Sequence, residues 1–163
     1  MHLTLFTDSS MRVKLYLAAR PDRLCSIAEV ARSYGISQNH LMKVVNELGR
    51  SGYVTSVRGR SGGIRLGKEP EDINIGALVR QTEDGFDLAD CGSCIIAPAC
   101  GLTDVLKEAL GAFLTVLDRY TLEDLMARRQ DLNRLLFSTE IVDSRDFVIS
   151  PARTTRRRTR RNA

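Results

Sequence analysis

Apolar residues recur at helical spacing through the first third of the chain, alternate briefly, then recur over a much longer stretch. Met11, Leu15, Leu17 and Ala18 form a stripe that predicts a helix running through Ala19. Asp8, Ser9 or Ser10 would cap it, and Arg20-Pro21-Asp22 would end it. A second helix begins at Ser26, where Ser26-Ile27-Ala28-Glu29 fits a capping box, hydroxyl and carboxylate each satisfying the other residue's amide. It runs to about Tyr34 and stops at Gly35. Ser37 would cap a third helix, with Leu41, Val44, Val45 and Leu48 on its core side and Ser51-Gly52 as the stop after Arg50. Two short helices joined by a turn containing Gly are the helix-turn-helix pattern.

Tyr53–Val57 and Ile64–Leu66 read as paired strands. Arg58-Gly59-Arg60-Ser61-Gly62-Gly63 between them makes a hairpin tip that carries guanidinium groups. A helix-turn-helix followed at once by a basic hairpin is a winged helix; the plainer alternative is a small α+β domain. Beyond a polar connection around Pro70, Asn74 to about Glu83 predicts a short helix with Ile75, Leu78 and Val79, and 84–101 an irregular loop. From Leu102 to Met126 the pattern predicts one long helix, with Leu106, Leu110, Phe113, Leu114, Leu117, Tyr120 and Leu125 in a wide apolar stripe. Its length of about 37 Å exceeds what the domain needs to cover its own core. The excess face implies a partner, most simply the same helix of a second subunit, hence a homodimer; the alternative is packing on the winged helix alone. Ala127–Phe137 reads as a further helical segment, and the pattern is lost from Ser138 on.

Charge divides the chain. The whole is +4 at neutral pH, but residues 1–70 hold 11 Lys and Arg against 5 Asp and Glu, residues 71–152 hold 7 against 15, and residues 153–163 hold 6 Arg and no acid. A basic N-terminal module is the footprint of a polyanion partner. No apolar run approaches a membrane span, and no secretory signal is visible at Met1–Asp8, so a cytoplasmic location is expected. In that reducing compartment four cysteines point to metal binding or redox sensing rather than disulfides.

Three of those cysteines lie within ten residues, Cys91-Gly92-Ser93-Cys94-Ile95-Ile96-Ala97-Pro98-Ala99-Cys100, spaced C-x2-C-x5-C. Thiolates are soft ligands that select zinc, Cu(I) or iron–sulfur clusters. A structural zinc site wants four closed ligands, and the only histidines, His2 and His40, lie far off in sequence. Three thiols without an obvious fourth fit an iron–sulfur cluster completed from elsewhere; zinc and a redox-active thiol group stay open. Cys25, flanked by Leu24 and Ile27, reads as a small core residue.

Leu3-Thr4-Leu5-Phe6-Thr7-Asp8, the helix Ser37–Val45, the wing Gly59-Arg60-Ser61-Gly62-Gly63-Ile64-Arg65-Leu66 and the three-Cys loop occur in that order. Together they resemble the iron–sulfur winged-helix transcription regulators of the NsrR/IscR type, over residues 1 to about 135. Ile96–Cys100 and the position of Asp8 look most like the nitric-oxide-sensitive branch. The resemblance implies a homodimeric DNA-binding repressor whose cluster, 4Fe–4S in preference to 2Fe–2S, is held by Cys91, Cys94 and Cys100, with Asp8 from the other subunit as fourth ligand. It implies nitric oxide as the signal, with an iron-responsive or cluster-status-responsive regulator as the alternative. The branch that uses a His shortly after the last Cys is not matched, since residues 101–107 contain none. The first Cys–Cys gap is shorter than in most of the family. The expected fold is mainly α with a small β-hairpin. A winged helix-turn-helix (1–70) precedes a cluster-binding loop and dimerisation helix (71–137) and a disordered tail (138–163), Arg-rich at its end.

In a helix-turn-helix the second helix enters the major groove of double-stranded DNA with its N-terminal residues at base edges. That selects Gln38, Asn39 and His40, and the amides of Gln and Asn can pair bidentately with adenine. Lys43, Arg50, Arg58, Arg60 and Arg65 suit phosphates, or the minor groove at the wing. A dimer predicts a palindromic operator with half-sites about one turn apart. No enzyme is indicated, because a Gly-rich nucleotide loop after a strand, a Ser/His/Asp set and a second cluster motif are all lacking. Glu83-Asp84 and Glu123-Asp124 read as solvation or interface charges on helix or loop surfaces. The arginines of 153–161 either add phosphate contacts or only solubilise the end. Truncation after Ser150 separates the two: lost contacts make the dependence of log affinity on log salt shallower by about 0.9 per phosphate, whereas an unchanged slope leaves a solubilising tail.

Overall fold

A computed structural model of the chain describes residues 2–137; the predicted tail, 138–163, lies outside the described residues. The elements in order are α1 (Leu5–Ala19), α2 (Ile27–Tyr34), α3 (Gln38–Arg50), β1 (Val54–Val57), β2 (Gly63–Leu66), α4 (Ile75–Thr82), α5 (Leu102–Leu117), α6 (Leu122–Leu125) and α7 (Arg129–Phe137). Short 3-10 turns lie at Pro70–Asp72 and Ala97–Ala99. The fold is mainly helical with one antiparallel hairpin, as the pattern predicts, and β1 pairs β2 from Val54 with Leu66 to Val57 with Gly63.

The core joins α1, α2, α3 and the hairpin to α4 and α6. Val13, Leu17, Val30, Leu41, Val44 and Leu48 are buried together with Ile73, Leu78, Leu122 and Met126. Cys25 is fully buried, and its backbone pairs with Ile64 in both directions, at 2.9 and 2.8 Å. Burial, with the Glu29 carboxylate beside it, pushes the Cys25 thiol up to about 11, so it is a packed core residue rather than a reactive one.

Local signals account for α2 and α3. The Ser26 hydroxyl accepts from the Glu29 amide at 3.1 Å. The Glu29 carboxylate also pairs with Arg23 at 2.8 Å. Gly35 ends α2 at φ +63°, a left-handed conformation that costs an L side chain dearly. Ser37 stands at the cap of α3 without donating or accepting a side-chain cap bond.

Two boundaries depart from the pattern. Helix α1 begins at Leu5, and its cap is Thr4, whose hydroxyl accepts from the Thr7 amide at 3.2 Å. Asp8 is therefore inside the first turns and not a cap. The inner face of α1 buries Thr7, Ser9, Ser10 and Lys14, so its start carries no apolar periodicity. The long helix expected over 102–126 is broken after Leu117. Thr121 and Asp124 form a capping box that starts α6, and Asn74 reaches the Asp118 carbonyl at 2.7 Å. Ile75 donates to Tyr120, and Leu122 to Ile73, at 3.0 and 2.8 Å. Arg80 forks onto Asp118, and a Cβ on Gly76 would overlap the same carboxylate. These bonds turn the chain by folding 118–121 against the start of α4. Helix α5 is thus about 24 Å long, and α6 and α7 return to pack on α1.

Lys14 is fully buried and its ammonium has no hydrogen-bond partner. It lies 4.2 Å from the centre of the Tyr53 ring, with Lys68 4.5 Å from the same ring. Burial, reinforced by Lys68, lowers it to about 7. The unfolded chain holds that proton up to its ordinary value of 10.5, so stability rises with pH from about 7 upward and is lost as pH falls through about 7. Cys25 and Tyr34, raised to about 11 and about 12, oppose this only above their unfolded values of 9.0 and 10.0. Lys14→Met should stabilise the fold by ~1–3 kcal/mol near neutral pH and flatten the slope between about pH 7 and 9. Urea melts at several pH values check this; an unchanged slope would place the ammonium in water.

Candidate DNA-reading face and cysteine loop

Helix α3 sorts its residues by face. Leu41, Val44, Val45 and Leu48 are buried, which leaves Gln38, Asn39, Met42 and Lys43 exposed. Arg50 is exposed at the far end and pairs with Glu47 at 3.4 Å. His40 departs from its neighbours: it is half-buried, and its Nε2 lies 3.0 Å from the Ser9 hydroxyl of α1.

The wing presents Arg58 and Arg60, both exposed, on a tip shaped by glycine. Gly59 adopts φ +114°, and a Cβ on Gly62 would overlap the Val57 carbonyl. The Gly62 amide closes the tip onto the Gly59 carbonyl at 3.0 Å. Arg65 is elsewhere. It sits in the middle of β2 opposite Thr55, along a cleft of about 700 Å³ shared with Arg20, Lys68 and Arg129. The structure thus sets Arg58 and Arg60 together and holds Arg65 apart from them.

The three cysteines follow α4 on a loop that turns at nearly every third residue. The amide of Cys94 bonds the carbonyl of Cys91 at 3.4 Å, Ala97 bonds Cys94 at 3.1 Å, and Cys100 bonds Ala97 at 3.3 Å. All three thiols are free; Cys94 is exposed, Cys91 and Cys100 half-buried. Ile95 and Ile96 are also exposed, at 96% and 61%. Among the described residues, no three His, Cys, Asp or Glu side chains are gathered closely enough to hold a metal ion. The backbone aligns the thiols along one loop without converging them. Asp8 stands on the outer side of α1, half-exposed, paired with Arg12 at 2.9 Å.

Residue spacing did not reveal how the loop is anchored. Glu83, at its start, accepts from the Thr4 amide at 2.8 Å and from the Thr4 hydroxyl at 3.1 Å. One residue earlier, Thr82 accepts from the Thr7 hydroxyl at 2.9 Å in a buried bond. The loop therefore springs from the turns of α1 that carry Asp8. Threonine at helix starts is too common for this to be read from sequence alone.

Helix α5 leaves the loop with no buried residue; Leu102 and Val105 are 51% and 61% exposed, and Leu106, Leu110, Phe113 and Leu114 are half-buried. A helix-turn-helix followed by a basic wing is the arrangement of a winged-helix DNA-binding fold, here extended by a helix whose apolar residues stay largely exposed. Residues 3–128 match the family described as Rrf2, iron-dependent transcriptional regulator, and the chain belongs to that family. It is 54% identical over 142 residues to the HTH-type transcriptional regulator NsrR of Bacillus subtilis (strain 168), covering 83% of this chain and 97% of that one. Among solved structures, T. potens IscR is similar in fold, with TM-score 0.66 at 22% identity over 90% of this chain and 97% of that one. CymR, the global cysteine regulator of B. subtilis, matches at TM-score 0.60 and 26% identity over 78% of this chain and 98% of that one.

If the exposed residues meet DNA as placed, two groups of variants should differ. Arg58→Ala with Arg60→Ala should weaken binding about equally on all sequences and reduce the salt slope by about 1 per phosphate lost. Gln38→Ala or Asn39→Ala should cost ~1–3 kcal/mol and relax preference at one base position. Filter binding to a small operator library separates these outcomes; identical behaviour of the two groups would remove the division of labour.

Proposed function

We propose that the chain is a homodimeric repressor that binds a palindromic DNA site and releases it on exposure to nitric oxide. Cys91, Cys94 and Cys100 would hold an iron–sulfur cluster, 4Fe–4S in preference to 2Fe–2S, with the partner subunit's Asp8 as the fourth ligand. The observation that carries this reading is the loop itself, three free thiols in ten residues on a partly exposed backbone, in a chain so similar to NsrR. The donor set fits: soft thiolates suit iron–sulfur chemistry, and a set one short of four leaves a position for an oxygen ligand. When bound, the cluster supplies iron that small molecules can reach at its least firmly held position.

The chain's own residues supply the rest. Asp8, paired here with Arg12, would supply a carboxylate oxygen as the ligand. Thr4 and Thr7 hold the start of the loop to α1 through Glu83 and Thr82. The half-exposed face of α5 supports the dimer, and a dimer fixes the spacing of two recognition helices. Gln38 and Asn39 read bases, while Lys43, Arg50, Arg58 and Arg60 bind phosphates. Each base contact is worth about 1–3 kcal/mol, so displacing one contact per half-site lowers affinity at least tenfold.

Anaerobic nitric oxide titration of freshly purified protein, followed by gel shift, should therefore abolish the shifted band; a band that persists at saturating nitric oxide rejects the reading. Iron availability is the second reading, favoured by the description of the matching family as iron-dependent. In that case chelation abolishes the band and nitric oxide does not.

A further inference from the structure

We propose that His40 is a positioning residue rather than a base reader: through Ser9 it ties the turn of α1 that carries Asp8 to the turn of α3 that carries Gln38 and Asn39. Ser9 is fully buried, and His40 Nε2, at 3.0 Å, is the partner its hydroxyl has. Among the described residues this is the one hydrogen bond between α1 and α3. Around it both helices contribute apolar side chains to one buried core, Val13 and Leu17 from α1 and Leu41 and Val44 from α3. Apolar packing is non-directional and tolerates small rotations of one helix on another. A hydrogen bond weakens steeply with angle, so it fixes where the first turn of α3 points.

The same two turns of α1 carry the other polar ties. Thr4 holds Glu83 and Thr7 holds Thr82, both at the root of the cysteine loop, and Asp8 pairs with Arg12. Successive residues of a helix lie about 100° apart, so Asp8 faces outward while Ser9, next to it, faces α3. A displacement of this rigid turn at its outer side is delivered through Ser9 to His40. Gln38 and Asn39 lie within one turn of His40 and move with it. The input side of this link rests on the proposed role of Asp8; the tie between Ser9 and the reading turn does not.

The test is a double-mutant cycle of Ser9→Ala and His40→Ala, with His40→Gln as the conservative variant, on a duplex selected from a random pool by wild-type protein. Each single variant should weaken DNA binding by roughly two- to tenfold, the range of one neutral hydrogen bond, and the double variant no further than the weaker single. Reselection should return the same base preferences, and His40→Gln should recover part of the affinity. In Ser9→Ala, amide exchange at Leu41, the amide bonded to Ser37, should quicken. His40→Ala altering the preferred base at one position while Ser9→Ala changes nothing would make His40 a base reader and overturn the proposal. Additive effects, or unchanged exchange at Leu41, would overturn it too. Wild-type protein that ignores both nitric oxide and chelation defeats the sensing reading but leaves this cycle to be decided by itself. Sensing that survives intact in Ser9→Ala overturns the passage of the signal through this tie and leaves the sensing reading standing.

Discussion

A hydroxyl taken out of water without a partner is costly, and the buried bond from Thr7 to Thr82 avoids that cost by drawing the start of α1 against the end of α4. Much of the architecture hangs from this contact. It brings Thr4 within reach of Glu83, which sets where the cysteine loop departs. It also orients α1 so that Ser9 faces α3 while Asp8 faces out. An apolar pair at the same place would bury as well but would leave the helix free to turn on its axis. The polar inner face of α1 trades some packing strength for a defined rotation, and the unpartnered Lys14 ammonium further along shows that not every buried polar group on this face is satisfied.

How far the fold was legible follows from the same chemistry. Helices α2 and α3 and the hairpin were readable because apolar spacing, Ser26, Gly35 and the glycine tip agree with one another at each boundary. The start of α1 was not, because Thr7, Ser9, Ser10 and Lys14 occupy the positions where apolar residues would mark a buried face. The break at 118–121 was hidden for the opposite reason. Leu117, Leu122 and Leu125 keep the apolar rhythm across it, and the deciding bonds come from Asn74, more than forty residues away. The Thr121–Asp124 capping box was a local signal for the break, overridden by that rhythm.

The candidate site divides likewise. Cysteine spacing and arginines flanked by glycine are chemical statements that survive without a structure. The inward turn of His40 and the placement of Arg65 along a cleft away from the wing tip depend on contacts between elements, which one-dimensional spacing does not contain. The shared core also shows why the halves of opposite charge need not behave as separate bodies: Ile73, Leu78, Leu122 and Met126 complete the hydrophobic interior of the basic half.

The backbone pairing of Cys25 with Ile64 has a consequence for the lone hairpin. A two-stranded ribbon by itself is marginal in water and offers two open edges. Here β2 is paired with β1 and, at Ile64, held on its other side by Cys25, and Gly63 lets the approach close, since a Cβ there would stand 2.8 Å from the Cys25 carbonyl. The edge of β1 is only four residues long and carries Thr55 and Ser56. Such an edge is a poor template for strand-to-strand aggregation, so the wing can project bare into solvent, and into a nucleic-acid groove, without making the molecule sticky toward its own copies.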